Sequence, residues 1–425
     1  MSVNLEARGS GVALTPLLHH AAVEWDVLRE RYGPLLELVD TVLGVVPNCD
    51  RYLEIWPPGF RTYNVLVPNL LNLPVPVLGL GGPPPAMVGL SMYVASRSAG
   101  CSYCSAHSCS FALRRGASFE TVTAALLPAR TSLSRGEAAT VAVARGLASS
   151  SLTSGQRQEL EEVYGPKKAE WIAAGAVLMG FLNTFMDVVG VELEQSVVDE
   201  VARTLGTGWS AGKTGPLLDP TSPPRPAPAA DGWRTKLRLL PLMPAAIRFD
   251  RRWQRGTPTS APDVSDFLRR ATGHDFPVLA SLHSGRIRRC IATVLRDNLD
   301  PRGSEVGIAT KVLAGAVFAE VVQDEHLAHD VAALARAADV PVERLADAAA
   351  FGAGDDDRLS SDDTGQAALF ALARAGSSSP ARVGEDVVAA CRDSGVSPAA
   401  IIELVTWLSV LQLLYRLTAW ALPRA

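Results

Sequence analysis

Two cysteines and a histidine are spaced at three-residue intervals in the first half of the chain. They are Cys101, Cys104 and His107, and they follow Gly100 at the point where a helical pattern begins. Two cysteines three residues apart on a helical turn lie close enough to form a disulfide. At a helix N-terminus, free amides and the helix dipole stabilise a thiolate, and a histidine one turn further can hold or deliver a proton. The spacing therefore predicts a redox-active dithiol with a proton shuttle.

The chemistry expected of this motif is attack by one thiolate on an oxidised substrate, followed by resolution by the second thiol and later reduction of the disulfide. A bound zinc ion is one alternative, with Cys109 as a fourth ligand. All four side chains would then lie on one continuous helix, which rarely surrounds a tetrahedral ion. An unreactive structural pair of cysteines is the other alternative.

The elements that must position the motif are predicted to be helices. Four segments place apolar residues at helical spacing: residues 87–99, 104–115, 137–148 and 169–189. Almost no segment alternates as a half-buried strand does, so an all-α fold is expected. Residues 56–64 are aromatic and turn-forming, and residues 66–85, rich in Pro and Gly, are expected to form a long irregular loop.

The sequence has the pattern of a diverged tandem repeat. Residues 137–145 share their apolar spacing with residues 366–374, and the long apolar segment at 169–189 has a counterpart at 400–421. Each of these two long segments follows a helix-start signal that contains proline.

The repeat divides the chain into two tandem helical bundle domains, residues 1–205 and residues 233–425. Between them, residues 206–232 are rich in Gly, Pro, Ser and Thr. Because proline lacks an amide donor and clashes inside helices, this stretch is predicted to be a linker.

The second domain lacks the cysteines. In the matching segment, Gln323 and His326 stand near the two cysteine positions, and His329 stands near that of His107. Metal binding by His326 and His329, helped by the acidic residues beside them, is one interpretation, since ligands on one helix use spacings of three or four residues. The simpler interpretation is a solvated helix start in a repeat that has become structural, with no metal.

Composition and charge argue against several classes of partner. Of 425 residues, 48% are hydrophobic and 20% are charged, and the net charge of −4 favours neither nucleic acid nor an anionic membrane. Residues 1–8 are polar and contain no apolar signal segment. The longest apolar stretch, residues 172–186, covers about fifteen residues, fewer than the roughly 20 that span a bilayer. We therefore expect a cytoplasmic protein with no membrane or nucleic-acid partner.

The residues around the motif resemble the core signature of the alkylhydroperoxidase D-like proteins, also called the carboxymuconolactone decarboxylase type. The resemblance comprises an apolar helix, the turn at Gly100, the Cys-x-Tyr-Cys sequence at 101–104 and then His107. Residues 116–120, Gly-Ala-Ser-Phe-Glu, resemble the family's connection into the next helix. Residues 180–194, which contain Asn183 and end in Leu-Glu, are similar to its closing helix.

This resemblance spans about residues 49–194 and, more faintly, residues 266–422. It implies an all-helical bundle, a dithiol peroxidase or disulfide reductase activity, and homo-oligomers, often trimers. Two positions depart from the family pattern. The redox members of the family carry a glutamate twelve residues before the first cysteine, and this chain has Gly89 there. Many members have the histidine at the position of Ser108, and in this chain the histidine, His107, comes one residue earlier. The missing glutamate puts fast peroxidase turnover in doubt.

These observations predict a thiol-dependent oxidoreductase. Cys104, better placed in the helix turn and nearer His107, is expected to attack, Cys101 to resolve the intermediate, and His107 to move the proton. Tyr103, Ser108 and Asn183 are possible pocket residues, although a satisfied buried amide is the simpler interpretation of Asn183.

The expected partners are a small-molecule oxidant or organic substrate, a dithiol reductant, and further copies of the chain. No cofactor is expected, since no Gly-rich phosphate loop follows a strand. Two other functions stay open: a lyase or tailoring enzyme on the same fold, and a non-catalytic binding or assembly protein.

Overall fold

The computed structural model describes residues 12–78, 81–126, 133–205, 232–359 and 363–424. Within these ranges every regular element is a helix, so the prediction of an all-α fold is confirmed. Helices occur at all four segments that the apolar spacing predicted.

The α-helices follow one another along the chain in this order: α1 (Thr15–Leu18), α2 (Trp25–Leu43), α3 (Cys49–Leu53), α4 (Pro57–Leu70), α5 (Val75–Leu78), α6 (Pro85–Ser98), α7 (Ser102–Arg114), α8 (Phe119–Ala124), α9 (Arg135–Ala148), α10 (Ser154–Tyr164), α11 (Pro166–Val189), α12 (Gln195–Leu205), α13 (Trp233–Leu239), α14 (Met243–Trp253), α15 (Ala261–Thr272), α16 (Gly285–Asn298), α17 (Ile308–Val322), α18 (Glu325–Ala337), α19 (Val342–Ala353), α20 (Thr364–Ser377), α21 (Glu385–Asp393) and α22 (Pro398–Ala421). Short 3₁₀ helices lie at His19–Ala21, Pro277–Ser281, Pro301–Gly303 and Asp356–Leu359.

The starts of several helices follow from local sequence. α9 and α10 begin with capping boxes, in which Ser134 pairs with Glu137 and Thr153 pairs with Gln156. α6, α11 and α22 carry proline in the first turn, where its missing amide hydrogen would have had no intrahelical partner.

Residues 57–70 form a helix where the sequence predicted turns and the start of a loop. α4 begins with two prolines and contains Pro68 near its end. Proline in the first turn is compatible with a helix, so composition alone was misleading. The predicted irregular loop is also interrupted by α5. The correction matters for the site, because α4 carries Tyr63.

Six helices occur in the same order in each half of the chain. α6 to α11 have 14, 13, 6, 14, 11 and 24 residues, and α17 to α22 have 15, 13, 12, 14, 9 and 24. Three equivalent pairs also pack together, since α6 contacts α7, α9 and α11 as α17 contacts α18, α20 and α22, but α17 packs most extensively on α19. This correspondence supports the repeat inferred from the sequence.

α11 and α22 join the two halves and pack against each other more extensively than any other pair of helices. Gly180 makes the close approach possible, because a Cβ at that position would lie 2.8 Å from the carbonyl oxygen of Gln412. Each helix has 24 residues, more than the apolar stretch of about fifteen residues counted in the sequence, and by length and composition each could cross a membrane. However, 94% and 83% of their most apolar stretches are buried inside the protein, as in core helices.

The two halves share one continuous hydrophobic core. α4 of the first half packs on α16 of the second, and there Asn298 donates a hydrogen bond to Thr62 across 2.9 Å. Arg286 donates to Asn69 at 2.8 Å and to the carbonyl of Leu73 at 2.6 Å, just beyond the end of α4. The predicted linker, except for its last residue, lies outside the described part of the chain.

Candidate active site

The dithiol lies at the junction between α6 and α7. Gly100 has a φ of +74°, a left-handed conformation that glycine adopts without strain, and it turns the chain into α7. Cys101 is the N-cap of α7, and its sulfur accepts a hydrogen bond from the amide of Cys104 at 3.4 Å. The helix start predicted at this point is therefore confirmed, and both sulfurs lie where the helix dipole favours a thiolate.

Both thiols of the motif are buried. Cys101 is 2% exposed and Cys104 is 3% exposed, and all six cysteines of the chain are free. Burial raises the pKa of Cys104 well above its ordinary value, and the hydrogen bond to Cys101 and the charges of Cys101, Cys49 and Asp187 raise it further. Cys104 is thus a neutral thiol in the resting protein, and its reactivity depends on a base that accepts its proton.

A carboxylate that follows α11 in the chain holds His107. Nε2 of His107 lies 2.7 Å from Oε2 of Glu194, and the two side chains are 16% and 9% exposed. The other oxygen, Oε1, accepts hydrogen bonds from the hydroxyl of Tyr103 at 2.9 Å and from the amide of Asn48 at 2.5 Å. Since two donors fix Glu194, it can in turn fix the orientation of the imidazole ring.

Glu194 is ionised at neutral pH. Burial alone would raise its pKa, but the charge of His107 and the hydrogen bonds from His107 and Asn48 outweigh burial, so the pKa of Glu194 lies below its ordinary value. When Glu194 accepts a hydrogen bond from one ring nitrogen of His107, the other nitrogen is left able to accept a proton. The two side chains form an acid–base pair one helical turn from Cys104.

Position 89 has no space for a side chain. Gly89 of α6 packs directly on α7, and a Cβ there would lie 2.5 Å from Cα of Ala112. An acidic residue at this position would push the two helices apart. An acid is nevertheless present beside His107, because Glu194 reaches it from a different segment.

A small apolar cavity lies beside Cys104 and His107. Its volume is about 50 Å³, enough for a few water molecules at roughly 10–15 Å³ each by this measure. Tyr103 and Ser108, both predicted as pocket residues, line it, although the Ser108 hydroxyl donates to the carbonyl of Cys104 at 2.5 Å. The other walls come mainly from α4, α7 and α11, and Cys101 does not line the cavity.

Asn183, the third predicted pocket residue, lies in α11 and does not line the cavity. It is 3% exposed, and neither atom of its amide has a hydrogen-bond partner among the described residues. The interpretation of Asn183 as a satisfied buried amide was therefore wrong. Its position three residues after Gly180 places it on the face of α11 that packs against α22.

A third cysteine lines the cavity, and a buried acid follows it in the chain. Cys49 and Tyr63 line it, and burial together with the charges of Asp50 and Glu194 raises the pKa of Cys49. Asp50 is completely buried, and neither of its carboxyl oxygens has a hydrogen-bond partner in the part of the chain that the structure describes. Burial, together with the charges of Glu194 and Glu54, raises the pKa of Asp50 to about 8, so it is mostly neutral at pH 7.

The segment that replaces the motif in the second half does not form a cluster of metal ligands. His326 and His329 are both exposed, and the ring of His329 lies 6.3 Å from that of His274, which is bonded to Asp330 at 2.8 Å. Across the described ranges, no three His, Cys, Asp or Glu side chains converge as a metal site would require. Cys290 and Cys391, the two cysteines of the second half, are both buried.

Sequence reasoning missed Glu194, Asp50 and Tyr63 as members of the site. Glu194 was noted as part of a Leu-Glu ending, but it is 87 residues from His107 and no spacing rule connects the two. The acidic pair formed by Asp50 and Glu54, within the mostly apolar residues 42–60, was the available signal for a buried acid.

Comparisons of this chain with protein-family models, with curated proteins and with solved structures found no match.

Proposed function

We propose that the protein is a thiol-dependent oxidoreductase of the alkylhydroperoxidase D-like type, which reduces a small hydroperoxide at Cys104 and Cys101. One observation carries the proposal: Cys104 and His107 line the same small cavity, and His107 is hydrogen-bonded to an ionised Glu194. A buried thiol nucleophile is activated by a base that accepts its proton and by a carboxylate that orients the base.

In the first step, His107 accepts the proton of Cys104 while Glu194 stabilises the imidazolium. The thiolate sulfur then attacks an oxygen of the hydroperoxide, and the O–O bond breaks. Cys104 becomes a sulfenic acid, and the leaving alkoxide takes the proton from His107 to give an alcohol. Sulfur is oxidised by two electrons and the peroxide is reduced by two.

In the second step, the thiol of Cys101 attacks the sulfenic acid of Cys104. A disulfide forms, and the thiol hydrogen of Cys101 leaves with the hydroxyl group of the sulfenic acid as one water molecule. An external dithiol reductant then reduces the disulfide and is itself oxidised to a disulfide. In the net reaction, one hydroperoxide and two thiols of the reductant are converted into an alcohol, water and the oxidised reductant.

The two cysteines take different roles because their surroundings differ. Cys104 lines the cavity in which a hydroperoxide would bind, and Cys101 does not. Cys101 caps α7 and is hydrogen-bonded to the amide of Cys104, so its sulfur is held beside the attacking residue. This supports Cys104 as the nucleophile and Cys101 as the resolving thiol.

A thiol titration tests the proposal. We would count free thiols in the wild-type protein and in Cys104→Ser before and after a small alkyl hydroperoxide is added, and then measure turnover with a dithiol reductant. Cys109→Ser is a matched control, because Cys109 is also buried on α7 but does not line the cavity. We expect the wild type and Cys109→Ser each to lose two thiols and consume hydroperoxide, and Cys104→Ser to do neither. Wild-type thiols that stay unchanged in excess hydroperoxide would refute the proposal.

A further inference from the structure

A second cavity lies between the two halves of the chain, where α4 of the first half meets α14 and α16 of the second. Its volume is about 390 Å³, which is within the range of roughly 300–1,000 Å³ that is usual for small-molecule pockets. The dithiol cavity, at about 50 Å³, is much smaller. Apart from one glycine, the residues that line the larger cavity are polar or charged. Its size and lining suit a hydrophilic small molecule.

Two arginines of α16 line this cavity. Arg286 and Arg289 are three residues apart and therefore lie on the same face of the helix. Arg286 is largely occupied, because it donates to Asn69 and to the carbonyl of Leu73 and so holds the end of α4. Arg289 donates through Nη2 to the carbonyl of Gln254 at 2.9 Å, but its Nε is buried without a partner among the described residues. Arg289 therefore has donors left for a ligand.

Hydrogen-bond acceptors without a partner lie beside these donors. Gln254 is 2% exposed, and its Nε2 donates to Oδ1 of Asp250 at 2.5 Å. Oε1 of Gln254 is buried and accepts no hydrogen bond within the described ranges. Asn69 donates to the same Oδ1 of Asp250 at 2.8 Å, so the other carboxylate oxygen, Oδ2, can still accept. A buried acceptor without a partner destabilises the folded protein unless a ligand or water supplies a donor.

The charges of the lining residues restrict the kind of anion. Two arginines and one aspartate leave one net positive charge. A single carboxylate balances that charge, whereas a phosphate group carries more than one negative charge at neutral pH. A guanidinium also matches the planar geometry of a carboxylate, which it can bind through two parallel hydrogen bonds.

We infer that this cavity binds a hydrophilic monocarboxylate that carries hydroxyl groups, a ligand of the sugar-acid class. Arg289 binds the carboxylate, and Gln254 and Asp250 accept hydrogen bonds from the hydroxyl groups. Arg286 forms a charged wall and keeps α4 in place. The inference does not depend on the chemistry of the dithiol, since no residue of the cavity belongs to that site.

Calorimetric titration of the wild-type protein with four probes tests the kind of ligand. Gluconate has a carboxylate and hydroxyl groups, sorbitol has the hydroxyl groups without the carboxylate, hexanoate has the carboxylate without the hydroxyl groups, and inorganic phosphate is the competing anion. We expect gluconate to bind one molecule per chain and each of the other three to bind about tenfold more weakly or worse. No binding of millimolar gluconate, or equal binding of any of the other three, would overturn the inference.

Variants of α16 test the position of the site. Arg289→Met removes the free donors. Arg296→Met is the matched control, because Arg296 also lies on α16 and donates to the carbonyls of Trp253 and Arg255, but it does not line the cavity. We expect Arg289→Met to weaken gluconate binding by about tenfold or more, and Arg296→Met to leave it within about twofold of the wild type.

Arg289→Lys gives a second measurement if Arg289→Met does not fold, which thermal unfolding would reveal. Lysine keeps the charge but loses the paired donors of the guanidinium, so we expect an affinity between those of the wild type and Arg289→Met. Wild-type affinity for gluconate in both Arg289 variants would show that gluconate binds elsewhere, and the inference would fail.

Discussion

Replacing Asp50 with asparagine should remove a large part of the pH dependence of stability. Asp50 is completely buried, its carboxyl group has no hydrogen-bond partner within the described ranges, and its pKa is raised from 3.8 to about 8. The folded protein therefore keeps the proton of Asp50 over a range in which the unfolded chain has released it. Since the unfolded state binds fewer protons there, stability falls as pH rises from about 4 to about 8.

The size of the effect follows from the same values. Each pH unit between those limits costs about 1.4 kcal/mol. At pH 7, holding Asp50 in its neutral form therefore costs about 4 kcal/mol, and about 3 kcal/mol of this develops between pH 5 and pH 7. Asparagine has a similar shape, and burying its amide destabilises the protein equally at every pH because the amide does not titrate. The slope against pH is therefore the informative quantity.

The assay is urea unfolding at several pH values between about 5 and 8. Asp26→Asn serves as the control, because the Asp26 side chain is 98% exposed. We expect the wild type and Asp26→Asn to lose stability in parallel as pH rises, and Asp50→Asn to lose about 3 kcal/mol less between pH 5 and pH 7. Parallel curves for Asp50→Asn and the wild type would show that Asp50 titrates normally, and the reasoning would fail.

Two further predictions concern contacts between the halves and within the second half. Gly180→Ala should destabilise the protein by about 1–3 kcal/mol in urea unfolding, because the new Cβ would press on the backbone of Gln412. Gly155→Ala, where a Cβ meets nothing within 4 Å, should change stability by no more than about 0.5 kcal/mol, and equal effects at both glycines would contradict the packing of α11 on α22. Lys311→Met should cost about 3–5 kcal/mol, because Glu403, 2.5 Å from the ammonium and fully buried, would keep an unpaired charge. The added substitution Glu403→Gln should recover much of that loss, and no recovery would mean that the ion pair is not the source of the cost.

The helices and the location of the dithiol could be predicted from the sequence, because both depend on local spacing. Apolar periodicity marked α6, α7, α9 and α11, and Gly100 marked the turn before the motif. The repeat stays a prediction from the sequence; the six helices of each half keep their order, and four of the six pairs differ in length by at most one residue. α4 was missed because its prolines were taken as turn formers, although the first turn of a helix accepts them.

The residues that complete the site could not be predicted, because they depend on tertiary packing. Glu194 reaches His107 only when the segment after α11 folds back over α7. From the sequence, the lack of an acid at Gly89 counted against the site. The close packing of Gly89 on Ala112 explains the glycine, and Glu194 places a carboxylate beside His107.

The most direct test of the central claim is the rate at which a hydroperoxide converts Cys101 and Cys104 into a disulfide in the wild type and in Glu194→Gln. Glutamine keeps the shape of the side chain but cannot stabilise the imidazolium of His107 by charge. Mass spectrometry of the quenched reaction identifies the oxidised residues. The account predicts that the wild type forms the Cys101–Cys104 disulfide and that Glu194→Gln forms it roughly 10²-fold more slowly, as expected for loss of general acid–base catalysis. Equal rates, or oxidation that spares Cys104, would contradict it.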